Sequence, residues 1–337
     1  MKVRLFALCV AAAVLCALAP ISALAAAGGQ LRVIERIPGP DGKWDYASFD
    51  AARRRIYIAH GAQILALDLT TETLNAHFAS GARFHEVVVI PGADLLVATD
   101  SGDSTAKLLR ASDGHLLKAL EVGAGPDGAA YDPATGLVVV INGDAGILTL
   151  IDPKKQSVVA TIKVGGHLEF GQPDGKARFY VNVQDKGQVA VVDLTTREVL
   201  SRYNMAGCER PTGLAYVEGH RIISSCGGLA KILDATDGHE IASLKIGGSP
   251  DAVLYDSVRH IAYIPTAVDG KLWAIDLGGG NNSLVESVPT QIGARTGAVD
   301  VRTGRIYLPS AEFNLPASPG KRPTAKPGTF NILVLGR

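Results

Sequence analysis

A six-residue strand pattern returns seven times at nearly even spacing, and few folds accommodate such a period. The segments DYASFD (45–50), HEVVVI (85–90), DGAAYD (127–132), EFGQPD (169–174), TGLAYV (212–217), DAVLYD (251–256) and TGAVDV (296–301) begin 40, 42, 42, 43, 39 and 45 residues apart. Each is followed by a second β-rich run such as RRIYIAH, GLVVVIN, ARFYVNV or GRIYLPS. A third run usually ends near an aspartate, as in QILALD, GILTLID, GQVAVVD, LAKILD and KLWAID, and a fourth, such as SVVATIKV or HEIASLKI, precedes a Gly/Pro turn. The runs are rich in Val, Ile, Leu and Tyr, and no helix-length amphipathic pattern follows residue 30. Four short strands per unit, seven units in succession, predict an all-β seven-bladed β-propeller with four antiparallel strands per blade.

The seventh unit stops one strand short. Its third strand is FNILVLGR (330–337), and QLRVIERI (30–37) at the other end of the repeat array resembles the fourth strands. The last blade is therefore expected to be closed by the N-terminal strand, leaving no open junction between the first and last blades. Residues 30–337 read as one propeller domain, with a proline-rich insertion, AEFNLPASPGKRPTAKPGT (311–329), in blade 7.

Residues 1–25 read as a signal peptide: MKVR, the apolar run LFALCVAAAVLCALA, then small residues in which Ala23-Leu24-Ala25 fits an A-x-A cleavage site. That run is too short for a membrane span, so a soluble periplasmic or secreted protein is expected. Charge excludes other classes of partner. The chain has 33 basic and 33 acidic residues; without Lys2 and Arg4 the balance is 31 against 33, a net of −2. Such a balance does not point to nucleic acid or an anionic membrane. A closed propeller needs no second copy for stability, so a monomer is expected.

The turn-strand motifs GPDGAAYDP (125–133), CERPTGLAYV (208–217), GGSPDAVLYD (247–256) and GARTGAVDVRTGRIYLP (293–309), with VAVVDLTT (189–196) closing a unit, resemble the YVTN-repeat, YncE-type bacterial propellers over essentially all of residues 30–337. YVNV (180–183) comes nearest to the literal repeat string. The resemblance implies an exported propeller, similar in architecture to haem-carrying, quinoprotein-linked and lactonase propellers.

Cysteine usage fits export. Cys9 and Cys16 leave with the signal, and in an oxidising compartment the remaining Cys208 and Cys226 are expected to be paired. Folding YVEGHR about Glu218-Gly219 pairs Val217 with His220 and sets Cys226 opposite Pro211, three residues from Cys208. A modest curl of the incoming loop then closes the bond as a structural staple; no C-x-x-C suggests redox work.

Strand direction locates the working face. First-strand starts, second-strand ends and blade-to-blade connections share one side of the ring, where polar residues are expected to gather at the mouth of the central channel. Asp45, His85, Asp127, Glu169, Thr212, Asp251 and Thr296 begin first strands, Lys43, Arg83, His167, Arg210 and Arg295 stand just before them, and His60 closes a second strand. The arginine forks match carboxylates, and the interleaved aspartates offset their field. The mouth thus suits a small zwitterionic or hydroxylated ligand, or a periplasmic protein partner, and the chain reads as a binding scaffold. Three further chemistries share these residues. His60, His85 and His167 with Glu86, Glu169 and Asp45 carry the donor types of a divalent metal site, although no cofactor is expected. A lactonase-like hydrolase or lyase would use His167, Glu169 and Arg210. His85 and Glu86, adjacent in a strand, should point to opposite faces and not act together. Pro-rich residues 311–329 lie on the same side as the mouth and could cover it or present a partner surface.

Overall fold

The computed structural model describes residues 29–314 and 323–337. The expected leader, and the middle of the proline-rich insertion, lie outside them. Seven four-stranded antiparallel sheets form the ring. Blades 1 to 6 run outward in chain order, starting at Ala47–Asp50, Phe84–Val89, Pro126–Asp132, Leu168–Pro173, Leu214–Val217 and Leu254–Asp256. Blade 7 begins with Ala298–Asp300 and Arg305–Ser310, continues with Asn331–Gly336, and takes Arg32–Pro38 as its outermost strand.

That closure is a true fourth strand. In blades 1 to 6 the outer pair of strands carries one register shift midway, and the pairing of Arg32–Pro38 with Asn331–Gly336 shows the same shift between Val33 and Glu35. The N-terminal segment therefore reproduces the bend of every other outer strand.

Alternation explains how blades stack. Middle strands are apolar on both sides, as in RIYIAH and QILALD, because each face meets a neighbouring blade, whereas outer strands such as TLNAHFAS alternate between half-buried and exposed residues before the buried Phe78 and Ala79. The core is accordingly divided into seven apolar clusters, one at each seam between blades. At the seam of blades 1 and 2, for example, Tyr57, Ile64 and Ala66 pack against Phe84, Leu96 and Ala98.

Polar links cross the seams close to the axis. Thr296 donates to the Asp45 carbonyl at 2.6 Å, Tyr46 N–H to the His85 carbonyl at 3.1 Å, Thr99 to the Asp127 carbonyl at 2.6 Å and Leu168 N–H to the Gly143 carbonyl at 3.2 Å. Asn182 donates to the Thr212 carbonyl at 2.7 Å, Thr212 to the Pro250 carbonyl at 2.7 Å, and Arg295 to Asp251 at 2.7 Å. Thr212 and Thr296 are thus spent on joining blades. Close approach makes one glycine obligatory here, since a Cβ on Gly213 would sit 2.6 Å from the Ala252 backbone of blade 6.

The Cys208–Cys226 disulfide is formed, with Cα atoms 5.5 Å apart. The expected hairpin register is one residue off: Val217 pairs with Arg221, not His220. The turn spans three residues, 218–220, and both Gly219 (φ 72°) and His220 (φ 56°) adopt left-handed backbone.

Candidate functional site

Local irregularity, not regular strand geometry, positions the polar residues. In blades 2, 3 and 4 the pairing of first and second strands slips between Phe84 and Val87, between Pro126 and Ala129, and between Leu168 and Gly171. His85, Asp127 and Glu169 all lie inside these bulges, which re-aim side chains that a plain strand would alternate. Glu86 and His85 keep different partners. His85 contacts Asp45 and Asp127, whereas the buried Glu86 carboxyl accepts from the Val87 N–H at 2.8 Å.

One constellation centres on His85. Its Nδ1 is 2.6 Å from Asp45 Oδ2 and 3.3 Å from Asp127 Oδ1, and its Nε2 is 2.8 Å from Ser101 Oγ. Burial disfavours the imidazolium, but Asp127 and Asp45 more than compensate and raise its pKa to about 10. On the other side of Asp45, Arg295 binds Asp251 at 2.7 Å and also donates to the Trp44 carbonyl at 3.3 Å.

Carboxyls outnumber these two cations. Burial, reinforced by Asp127, Asp251 and Asp45, pushes Glu169 up to about 9. Burial also lifts Asp251 to about 7 against the pull of Arg295. Glu86 rises to about 8, chiefly through burial, and Asp45 rises for the same reason with Asp127 adding to it. The Tyr46 hydroxyl is pushed far upward by burial and by Asp251, Asp127, Glu169 and Asp45 together. Tyr46 of blade 1 packs on Phe170 of blade 4 with ring centroids 4.8 Å apart. A contact between these blades spans the axis, and the polar grouping beside it is termed the axial cup.

A second group adjoins it. Gln184 donates to Glu169 Oε1 at 2.5 Å and accepts from Arg210 Nη2 at 2.8 Å. Glu169 and Arg210 are therefore connected, but through an amide that the sequence reading missed. His167 is half-exposed, 4.0 Å from Glu169 and 3.7 Å from Asp144.

Other candidates stand apart. His60 is buried against Phe330, with ring centroids 4.7 Å apart, and beneath Gly42. Burial lowers its pKa, and it joins the wall between blades 1 and 7. Lys43 and Arg83 are exposed at the rim. The three histidines do not converge. The metal-type grouping at the axis is instead Asp45, His85 and Asp127, whose donor atoms lie within 4.8 Å of one another. Two ligands of a tetrahedral ion at ~2.1 Å sit roughly 3.4 Å apart; His85 Nδ1 and Asp45 Oδ2 are 2.6 Å apart and share a hydrogen bond. Of the insertion, Phe313–Asn314 and Thr324–Ala325 pair as a short ribbon, and Phe313 packs near Trp44 at 6.1 Å.

No protein-family profile matches the chain, and no curated protein matches it. Solved structures do. A chain of hydrazine synthase from Kuenenia stuttgartiensis aligns with TM-score 0.69 at 16% identity, covering 81% of this chain and 92% of that one. A chain from a mitotic checkpoint complex aligns with TM-score 0.73 at 10% identity, covering 100% and 99%. At such identities the likeness is one of fold, and it places the protein among seven-bladed β-propellers. Among the described residues no helix is long and apolar enough to cross a membrane.

Proposed function

We propose that this chain is an exported propeller of the YVTN-repeat, YncE type, acting as a scaffold that binds a small zwitterionic or hydroxylated ligand in the axial cup. The observation that carries this reading is the crowding at the axis: four carboxyls, Asp45, Asp127, Glu169 and Asp251, gather about two cations, His85 and Arg295. Asp127 Oδ1 is buried, and its one close partner is His85 Nδ1 at 3.3 Å, outside hydrogen-bond geometry. An ammonium or hydroxyl donor from a ligand would satisfy it, while Arg295 is placed to hold a carboxylate. The disulfide and the lack of a long apolar helix in the described residues support a periplasmic or secreted setting. Native mass spectrometry of the protein isolated from the periplasm tests the reading. A stoichiometric small molecule retained by the native chain and lost from Asp127→Asn is expected. Wild-type protein that carries no adduct and captures none from periplasmic extract would overturn it.

A lactonase-like hydrolase is the second reading, favoured by one observation. Glu169 holds its proton at neutral pH, as a general acid must.

A further inference from the structure

A cavity of about 590 Å³ opens where the 184–187 turn of blade 4 meets the connection into blade 5. Met205 and Cys208 are buried in its lining, and Lys186, Glu209 and Arg210 are exposed around it. Arg210 binds the neutral amide of Gln184, and among the described residues neither Arg210, Lys186 nor Glu209 forms an ion pair. Asp185, the other acid of the lining, already accepts the His167 N–H at 2.8 Å.

Backbone geometry adds an independent observation. Arg210 has φ 51°, in the left-handed region, directly before Pro211. The corresponding residues before Pro126 in blade 3 and Pro250 in blade 6 are Gly125, with φ 63°, and the small Ser249, with φ 53°. Glycine adopts that conformation without penalty, and an arginine does not. The incoming loop of blade 5 therefore keeps a charged side chain where the backbone favours none. Such strain persists when surrounding contacts over-determine it and is a pointer to function. Here the Cys208–Cys226 bond and the Gly227 N–H donated to the Glu209 carbonyl at 3.1 Å fix the loop on both sides of the strained residue.

We propose that this cavity is a second ligand site, beside the axial cup and joined to it through Gln184, for an α-amino acid with an aliphatic side chain. Arg210 and Lys186 hold the carboxylate, Glu209 holds the ammonium, and the side chain lies over Met205 and Cys208. Each feature of the lining then has a counterpart: two unpaired cations, one unpaired acid and an apolar floor. The disulfide preorganises the loop that carries both Glu209 and Arg210.

Titration calorimetry of the oxidised full chain with L-leucine tests the site. One equivalent is expected to bind, with L-leucinamide, which lacks the carboxylate, and 4-methylpentanoate, which lacks the ammonium, each weaker by about tenfold. Arg210→Gly, which relieves the left-handed strain and so keeps the fold, should weaken leucine by about tenfold, and the exposed Lys186→Gln by a smaller factor. Asp127→Asn in the axial cup should leave leucine affinity unchanged. Absence of leucine binding at about 10 mM, leucinamide binding as well as leucine, or Arg210→Gly retaining wild-type affinity would each refute the site. Loss of leucine binding in Asp127→Asn would move the ligand to the axis and refute it too.

Discussion

Glu169 shows most directly what the crowded axis costs. Its carboxyl titrates near 4.5 when unfolded and is raised to about 9 by burial and by Asp127, Asp251 and Asp45. Between those values the folded state binds a proton that the unfolded state has released, so stability falls as pH rises through this window. Glu169→Gln keeps the acceptor for Gln184 and removes the titration. We expect it to match the native melting temperature near pH 4.5 and to exceed it by several degrees at pH 7.5, where the difference is roughly 2–4 kcal/mol. Melting curves at both pH values check this; a gain independent of pH would mean that the carboxyl is not held protonated. The same variant bears on the hydrolase reading, which requires it to abolish turnover of a lactone panel. Much of the cup was legible at this scale, because Asp45, His85, Asp127, Glu169 and Asp251 share one phase of the repeat. Gln184 escaped because it lies in the short 3-10 turn Gln184–Lys186, beyond the strand pattern. His60 holds the right phase, yet the ring turns inward onto Phe330, a choice set by the apolar neighbour from blade 7 and not by its own strand.

Among the elements, the fifth blade has a short regular start, with Leu214–Val217 pairing to Arg221–Ser224. Cys226 lies beyond that pairing, and the disulfide adds a covalent tether to the hydrogen bonds that Thr212 N–H and Gly227 N–H donate to the Ser225 and Glu209 carbonyls in holding the incoming loop. It closes a sequence separation of 18 residues, for which the chain-entropy model gives about 3 kcal/mol. Cys208→Ser/Cys226→Ser should lose about that much in reversible denaturant unfolding, and reductant should then affect the wild type alone. Equal midpoints for both proteins would show that packing of Met205 and Tyr203 against the loop suffices without the bond. The one-residue error in this hairpin has a physical source. Glu218-Gly219 reads as a two-residue turn, but left-handed His220 extends it to three and shifts each partner by one. Bulges in blades 2 to 4 were illegible for a related reason: an inserted residue changes register without leaving the strand pattern.

At the scale of the whole molecule, stability depends on the ring being closed by residues from opposite ends of the described chain. Blade 7 joins Arg32–Pro38 to Asn331–Gly336, and Arg36 also reaches Gln291 at 2.6 Å on the connection from blade 6. The closure was foreseeable from sequence because seven units supplied one strand too few and the missing pattern stood just before the first unit. Removing that strand leaves the edge of Asn331–Gly336 unpaired and uncovers Ile332, Leu333 and Leu335, all fully buried in the intact ring. Unpaired edges with apolar faces recruit other strands, and identical chains supply the nearest source. A variant beginning at Gly39 should therefore melt roughly 10 °C or more below the intact chain and elute as dimers or larger species at concentrations where the intact chain elutes as a single smaller one. A synthetic RVIERIP peptide, added in excess, should restore part of the melting temperature by filling the gap. If the truncated chain stayed monomeric with unchanged melting, the seven seam clusters alone would be holding the ring, and the shared outer-strand bulge would be a matter of shape and not of closure.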